Sequence, residues 1–257
     1  MRRVTAVLLV VVGTGCLSVP GTRVETVDGR RVELAFVQRG APSVIFEAGL
    51  GGSLEWWSKV FPDVSQRNTA FAYSRAGLGN SSAVEGVRDG ATVVEALRRV
   101  LKEKNVEPPY VLVGHSLGGL FVQWFARRYP NEVVALVLVD STHPEQLQGD
   151  GSVELWPAEA KQALASLPKV PRAEFDALDQ TGKDVLALPT YEGKVIVLSA
   201  QQPMNDMATP TAKDSNQKRA DLVKRYPNAT QVWVDSGHGI PLEKPEAVID
   251  AVRAAME

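Results

Sequence analysis

Short runs of consecutive apolar residues alternate along this chain with stretches whose apolar positions recur every three or four residues. Residues 43–46, 69–73, 110–113, 133–139, 194–198 and 231–234 read as strands. Several are apolar at successive positions, the pattern of strands buried on both faces of a parallel sheet. Residues 24–26 and 32–37 flank an Asp28-Gly29 pair, which predicts an antiparallel hairpin at the start of the fold. Between these runs, residues 54–61, 91–104, 117–129, 213–226 and 245–256 read as helices. In the second of them Val93, Val94, Leu97, Val100 and Leu101 form one apolar face. Its last residues, Lys102-Glu103-Lys104, read as a solvated terminus. A hairpin followed by alternating strands and helices predicts an α/β fold, a mostly parallel sheet with helices on both faces. Right-handed crossovers then fix most of the topology.

Residues 141–190 break the alternation. They hold several prolines and no clear strand pattern, and residues 158–167 and 172–178 read as helices. A stretch of about fifty residues is too long for a plain connection between two core strands. A small helical cap is therefore expected as an insertion at about 143–190, inside a domain spanning 22–257. Leu155, Trp156, Leu164, Leu167, Phe175 and Leu178 either line an apolar pocket there or pack the cap onto the sheet.

The first residues carry a different pattern. Arg2 and Arg3 precede a ten-residue apolar run at 4–13, followed by small residues and Cys16. That is the layout of a secretory signal, and the run is too short to span a bilayer, which takes roughly 20 apolar residues. Residues 1–15 are expected to be a signal peptide. Gly13-Thr14-Gly15-Cys16 resembles the lipobox of bacterial lipoproteins, with Gly13 in place of the usual Leu. The resemblance implies lipidation of Cys16 and membrane anchoring at the cell envelope. Without lipidation the exported chain would be periplasmic or secreted.

Composition narrows the chemistry. The 257 residues contain one Cys and three His, which excludes a disulfide framework and a Cys-based zinc site. With 28 Lys and Arg against 30 Asp and Glu, the chain lacks the basic excess of a nucleic-acid binder. Any histidine-dependent chemistry must use His115, His143 or His238.

The chemical signal lies after the strand at 110–113. Gly114-His115-Ser116-Leu117-Gly118-Gly119 follows it, and a helix opens at Leu117. G-x-S-x-G at a strand-to-helix turn puts the serine on a sharp elbow, its hydroxyl clear of the sheet, with small residues letting strand and helix approach. The Leu117 N–H, at a helix N-terminus, suits an oxyanion. On these residues the chain resembles the α/β-hydrolase superfamily over nearly all of 24–256. The resemblance implies a Ser–acid–His triad in that chain order, a two-point oxyanion hole and a cap, with no metal or organic cofactor.

By that resemblance Ser116 is the expected nucleophile. His238, in Ser236-Gly237-His238-Gly239 after the last strand, is the expected base. The acid is open. Many members carry it in a Gly-x-x-Asp turn after the strand at 194–198, where this chain has Gln202, and glutamine supplies no charge to an imidazolium. Asp140 ends the preceding strand, 24 residues after Ser116. Haloalkane dehalogenases carry their acid at that strand end and spacing, so Asp140 is preferred. Asp206 is the alternative acid and Glu145 a third choice, while Asp140 as a mere acceptor for loop amides is the bland alternative. Leu50, in Glu47-Ala48-Gly49-Leu50-Gly51-Gly52-Ser53, is the expected second oxyanion donor beside Leu117, with Ala48-Gly49 in place of the common His-Gly. His115 reads as elbow packing or pocket wall, and His143 as a pocket residue or an exposed one. Of Trp56 and Trp57, one is expected in the core. The loop from Tyr73 to Ser81 resembles the family's Asp-Arg-x-Gly-x-Gly-x-Ser segment with Ser74 for the Asp; it reads as structural, with Arg75 in a hydrogen-bond network.

The function implied is a serine hydrolase that cleaves an ester or related small acyl substrate through an acyl-enzyme. A serine at the elbow argues against epoxide hydrolysis and haloalkane dehalogenation, which use a carboxylate there. Two other readings remain at this point. One is a non-catalytic binding module on the same scaffold, motivated by Gln202. The other is a cofactor-free haloperoxidase or acyltransferase with the same triad.

Overall fold

The computed structural model describes residues 17–202 and 209–257. The expected signal peptide at 1–15, Cys16 and Asp206 lie outside the described residues. The chain opens with strands β1 (Arg23–Val27) and β2 (Arg30–Val37), paired antiparallel with Val27 opposite Arg30. Asp28 and Gly29, at φ 48° and 70°, form the two-residue turn. Two left-handed residues give a connection whose twist matches that of its strands.

Strands β3 (Ser43–Glu47), β4 (Thr69–Tyr73), β5 (Tyr110–His115), β6 (Val133–Val139), β7 (Lys194–Ala200) and β8 (Ala229–Val234) follow. The sheet order is β1-β2-β4-β3-β5-β6-β7-β8. β2 joins β4 antiparallel, and every later pairing is parallel. Helices α1 (Phe61–Arg67), α2 (Gly90–Glu103), α3 (Leu117–Arg128), α4 (Ala158–Ala165), α5 (Lys169–Asp176), α6 (Leu178–Ala187), α7 (Pro210–Leu222), α8 (Ile240–Glu243) and α9 (Pro245–Ala254) connect them.

Alternate strand residues feed opposite cores, as a two-residue period requires. Val44, Phe46, Val111 and Val113 point to a core shared with α1 and α9, whereas Ile45 and Leu112 point to one shared with α2, α3 and residues of α4, α5 and α6. Phe46 lies 5.0 Å from the Trp57 ring and 6.1 Å from Phe61. Truncating so enclosed a ring costs about 3–5 kcal/mol. Among the described residues no helix is long and apolar enough to cross a membrane.

Three details depart from the sequence pattern. Residues 54–61 do not form one helix. A 3-10 turn at Leu54–Trp57, capped by Ser53, ends first, and α1 then starts at Phe61 with Pro62 in its first turn, where a missing N–H is harmless. Residues 141–190 carry an additional helix, α6, whose Gly182 lies so close to Pro144 that a methyl there would sit 1.8 Å from the Pro144 carbonyl oxygen. The end of α2 is not simply solvated: Glu103 accepts from Asp28 N at 2.8 Å and Lys104 pairs with Glu25, fastening the hairpin to the body.

Candidate active site

Ser116 stands between the end of β5 and the start of α3 at φ 53°, ψ −123°. A non-glycine residue there is strained by about 1–3 kcal/mol, so the surroundings must hold it. Its N–H donates to Val139 O at 3.1 Å, and its carbonyl accepts from Gly119 N and Thr142 N, both at 2.9 Å. A methyl on Gly118 would lie 2.3 Å from Glu47 O and 2.4 Å from Ala48 O. Only glycine lets the first turn of α3 meet the loop after β3. The same loop presents Gly49 to the serine, with a methyl built there falling 3.0 Å from Ser116 Cβ. Leu117 opens α3, where first-turn N–H groups have no carbonyl within the helix.

The ends of β6 and β8 supply the next pair. Asp140, at φ 40°, is fixed by its N–H to Leu198 O at 2.7 Å. Its side chain is buried and accepts from Ala200 N at 3.1 Å and Arg219 Nη2 at 2.6 Å. Asp140 Oδ2 also lies 2.5 Å from His238 Nδ1. Burial alone would raise the Asp140 pKa. The hydrogen bond and charge of His238, together with Arg219, more than offset this and bring it down to about 2. The carboxylate is therefore ionised and can only accept, so His238 Nδ1 carries the proton and Nε2 keeps its lone pair. Gln202 sits where the common acid would be, and it serves through its main chain: its N–H donates to Ser236 O at 3.2 Å and its carbonyl accepts from Arg219 Nη1 at 3.0 Å.

The Glu47–Ser53 loop has its own support. Arg75 donates from Nη1 to Glu47 Oε1 at 2.7 Å and Ala48 O at 2.6 Å. From Nη2 it donates to Gly49 O at 2.7 Å and Glu174 Oε2 at 2.8 Å, and from Nε to Glu174 Oε1 at 2.8 Å. Arg88 Nη2 reaches Glu174 Oε1 at 2.9 Å, and Tyr73 donates its hydroxyl to Glu47 Oε2 at 2.6 Å. All five side chains are buried. Burial pushes the Glu47 carboxyl up despite Arg75. Burial also acts upward on Glu174, but Arg75 and Arg88 outweigh it and hold the carboxyl below its ordinary value.

The other candidates sort by their partners. His115 donates from Nε2 to the His238 carbonyl at 2.9 Å; a carbonyl only accepts, so that nitrogen bears the proton. Burial, then the neighbouring His238, lowers the His115 pKa to about 3. Its ring lies between Trp56 and His238, each 4.8 Å away. Trp57 is the tryptophan in the core. His143 is buried rather than exposed, bonded to Asp221 at 3.2 Å and to Glu145 N at 3.1 Å. Glu145 pairs with Arg225 at 2.5 Å, not with His238.

The profile of the alpha/beta hydrolase fold family matches residues 42–185. The chain belongs to the α/β-hydrolase family. The uncharacterized protein YqjL of Bacillus subtilis is 34% identical over 98 residues, 38% of this chain and 39% of that protein. The chain spans 35–39% of the length of the first curated relatives it matches. Among solved structures, a thermophilic esterase from Thermogutta terrifontis superposes with a TM-score of 0.67 at 20% identity, covering 91% of this chain and 97% of that one. The enol-lactonase from Burkholderia xenovorans LB400 gives 0.63 at 17% identity, covering 91% and 99%. At such identities the likeness is one of fold.

Within this α/β hydrolase, sequence reading missed Arg219 and Glu174. Arg219 is one cation among several on the polar helix α7, and Glu174 lies between Arg172 and Asp176 in a charged stretch of α5. Both local patterns look like solvated faces. Their partners lie 79 and 99 residues away in the chain, so no local signal marks them.

Proposed function

We propose that this chain is a serine hydrolase acting on an ester or a related small acyl substrate. The observation that carries the reading is a strained Ser116 at a helix N-terminus, its neighbour His115 packed on the His238 ring at 4.8 Å, and a His238 whose Nδ1 is bonded to Asp140. His238 Nε2 takes the proton of the Ser116 hydroxyl as Oγ attacks the substrate carbonyl, and Asp140 stabilises the imidazolium that forms. The Leu50 and Leu117 N–H groups hold the tetrahedral oxyanion. His238 then returns the proton to the leaving group, and water, activated by the same base, releases the acyl group from Ser116. The Asp140 carboxylate bonded to His238 at the end of β6 supports this over a non-catalytic reading based on Gln202.

A fluorophosphonate probe is expected to label Ser116, and p-nitrophenyl butyrate turnover is expected to vanish in Ser116→Ala. A folded protein that is neither labelled nor active overturns the reading. We also propose that residues 1–15 are a signal peptide and that Cys16 is lipidated. Metabolic labelling with a radioactive fatty acid, lost in Cys16→Ala, tests this, and an unlabelled wild type overturns it.

A further inference from the structure

We propose that Glu174, carried by helix α5 of the cap segment, is a positioning residue for the Leu50 N–H: it completes the partner set of Arg75, and Arg75 sets the Gly49–Leu50 peptide plane. The inference rests on the serine-hydrolase reading for its catalytic consequence, though not for its geometry.

The peptide link provides the first step. Its carbonyl and N–H lie in one plane and point in opposite directions. Arg75 Nη2 holds Gly49 O at 2.7 Å, while Gly52 N holds the same oxygen at 3.0 Å. Fixing that carbonyl on the Arg75 side turns the Leu50 N–H away from it. Arg75 Nη1 does the same for the preceding peptide through Ala48 O at 2.6 Å. Cationic donors on these carbonyls also polarise the peptides, which strengthens their N–H groups as donors.

Glu174 decides whether Arg75 can stay in this pose. A guanidinium has five N–H donors in a fixed fork, and here every one is used. One goes to Glu47, two to the Ala48 and Gly49 carbonyls, and two to Glu174. Glu174 also faces Gly51 N at 3.5 Å and neutralises Arg88 beside Arg75. In Glu174→Gln, Arg88 loses its anionic partner, Arg75 keeps only the Glu47 carboxylate, and one Arg75 donor faces an amide N–H instead of an acceptor. Glu174 is the member of the set that comes from between β6 and β7, whereas Glu47, Tyr73, Arg75 and Arg88 come from the chain before β5. Seating of the cap segment and orientation of the Leu50 N–H are thus one event.

Amide hydrogen exchange and steady-state kinetics of Glu174→Gln test this together. Amides of residues 48–52 are expected to exchange at least about tenfold faster in Glu174→Gln. For p-nitrophenyl butyrate, kcat is expected to fall by about 10- to 100-fold while KM stays within about twofold, since the donor acts on the oxyanion and not on the bound ester. Glu174→Asp, which keeps the charge one methylene short, is expected to fall between the two, and it decides the matter if Glu174→Gln does not fold. Unchanged exchange at 48–52, or a change in KM alone, overturns the proposal. If Ser116→Ala hydrolyses the ester as fast as the wild type, the serine-hydrolase reading fails, and the exchange measurement still decides the role of Glu174.

Discussion

Two buried ionic arrangements flank Ser116, and they end on different kinds of group. Arg219 and Asp140 end on an imidazole, which on the proposed mechanism gains and loses a proton in every turnover. Glu47, Arg75, Glu174 and Arg88 end on main-chain carbonyls, which never change charge. The first arrangement stays open on its outer side, with the His238 side chain 24% exposed. The second is sealed, and each guanidinium N–H of Arg75 is engaged. A group that exchanges protons with a substrate needs access, while a group that only aims a dipole is best left none.

The comparison can be broken most sharply at Asp140. Asp140→Asn is expected to lower kcat by about 1,000- to 10,000-fold, because the imidazole loses the partner that fixes its tautomer. Asp206→Asn should cost at least about 100-fold less. The reverse order in p-nitrophenyl butyrate kinetics would move the acid to Asp206. The sealed half should instead respond in stability. Arg75→Met leaves two buried carboxylates facing each other and is expected to cost about 3–5 kcal/mol in urea unfolding; a loss below about 1 kcal/mol would mean that the set is not load sharing as drawn.

A smaller effect separates the halves by pH. The Asp140 pKa is about 2 in the folded chain against an ordinary 3.8. The folded state therefore binds this proton more weakly, so the stabilisation is complete above pH 3.8 and is lost as pH falls through about 2. The amount is about 2 kcal/mol. Arg219→Gln should flatten that part of the unfolding free energy between about pH 5 and 2, and an identical pH dependence in wild type and variant would contradict it. The smallest effect is a control outside both halves. Asp89 caps α2 by accepting from Thr92 N at 2.8 Å. Asp89→Ala should cost about 1 kcal/mol by urea unfolding and leave kcat unchanged.

The strands and most helices were legible because their signal is local: runs buried on both faces, an Asp-Gly turn, one apolar stripe on α2. The elbow was legible for the same reason, since strand, G-x-S-x-G and helix are contiguous. Asp140, which the structure bonds to His238, was singled out through a resemblance to haloalkane dehalogenases, which carry their acid at that strand end and spacing. Helix α6 was not legible, because Asp179-Gln180-Thr181-Gly182 is a polar run ending in glycine, and Gly182 admits the Pro144 carbonyl. Arg75 was expected in a hydrogen-bond network, but its partner Glu174 and the Asp140 partner Arg219 were invisible for a deeper reason. A charged side chain in sequence looks solvated until its partner is known, and Arg75 has partners from β3, the loop after it and α5.

The sheet places these residues at the ends of different strands, with Ser116 after β5, Asp140 after β6 and His238 after β8. A ribosome makes them in that order. On the proposed mechanism, a nascent chain carries its serine for 122 residues and its acid for 98 before the base is translated. Throughout that interval the elbow is chemically mute, and hydrolysis begins only once the last parallel strand has joined the sheet.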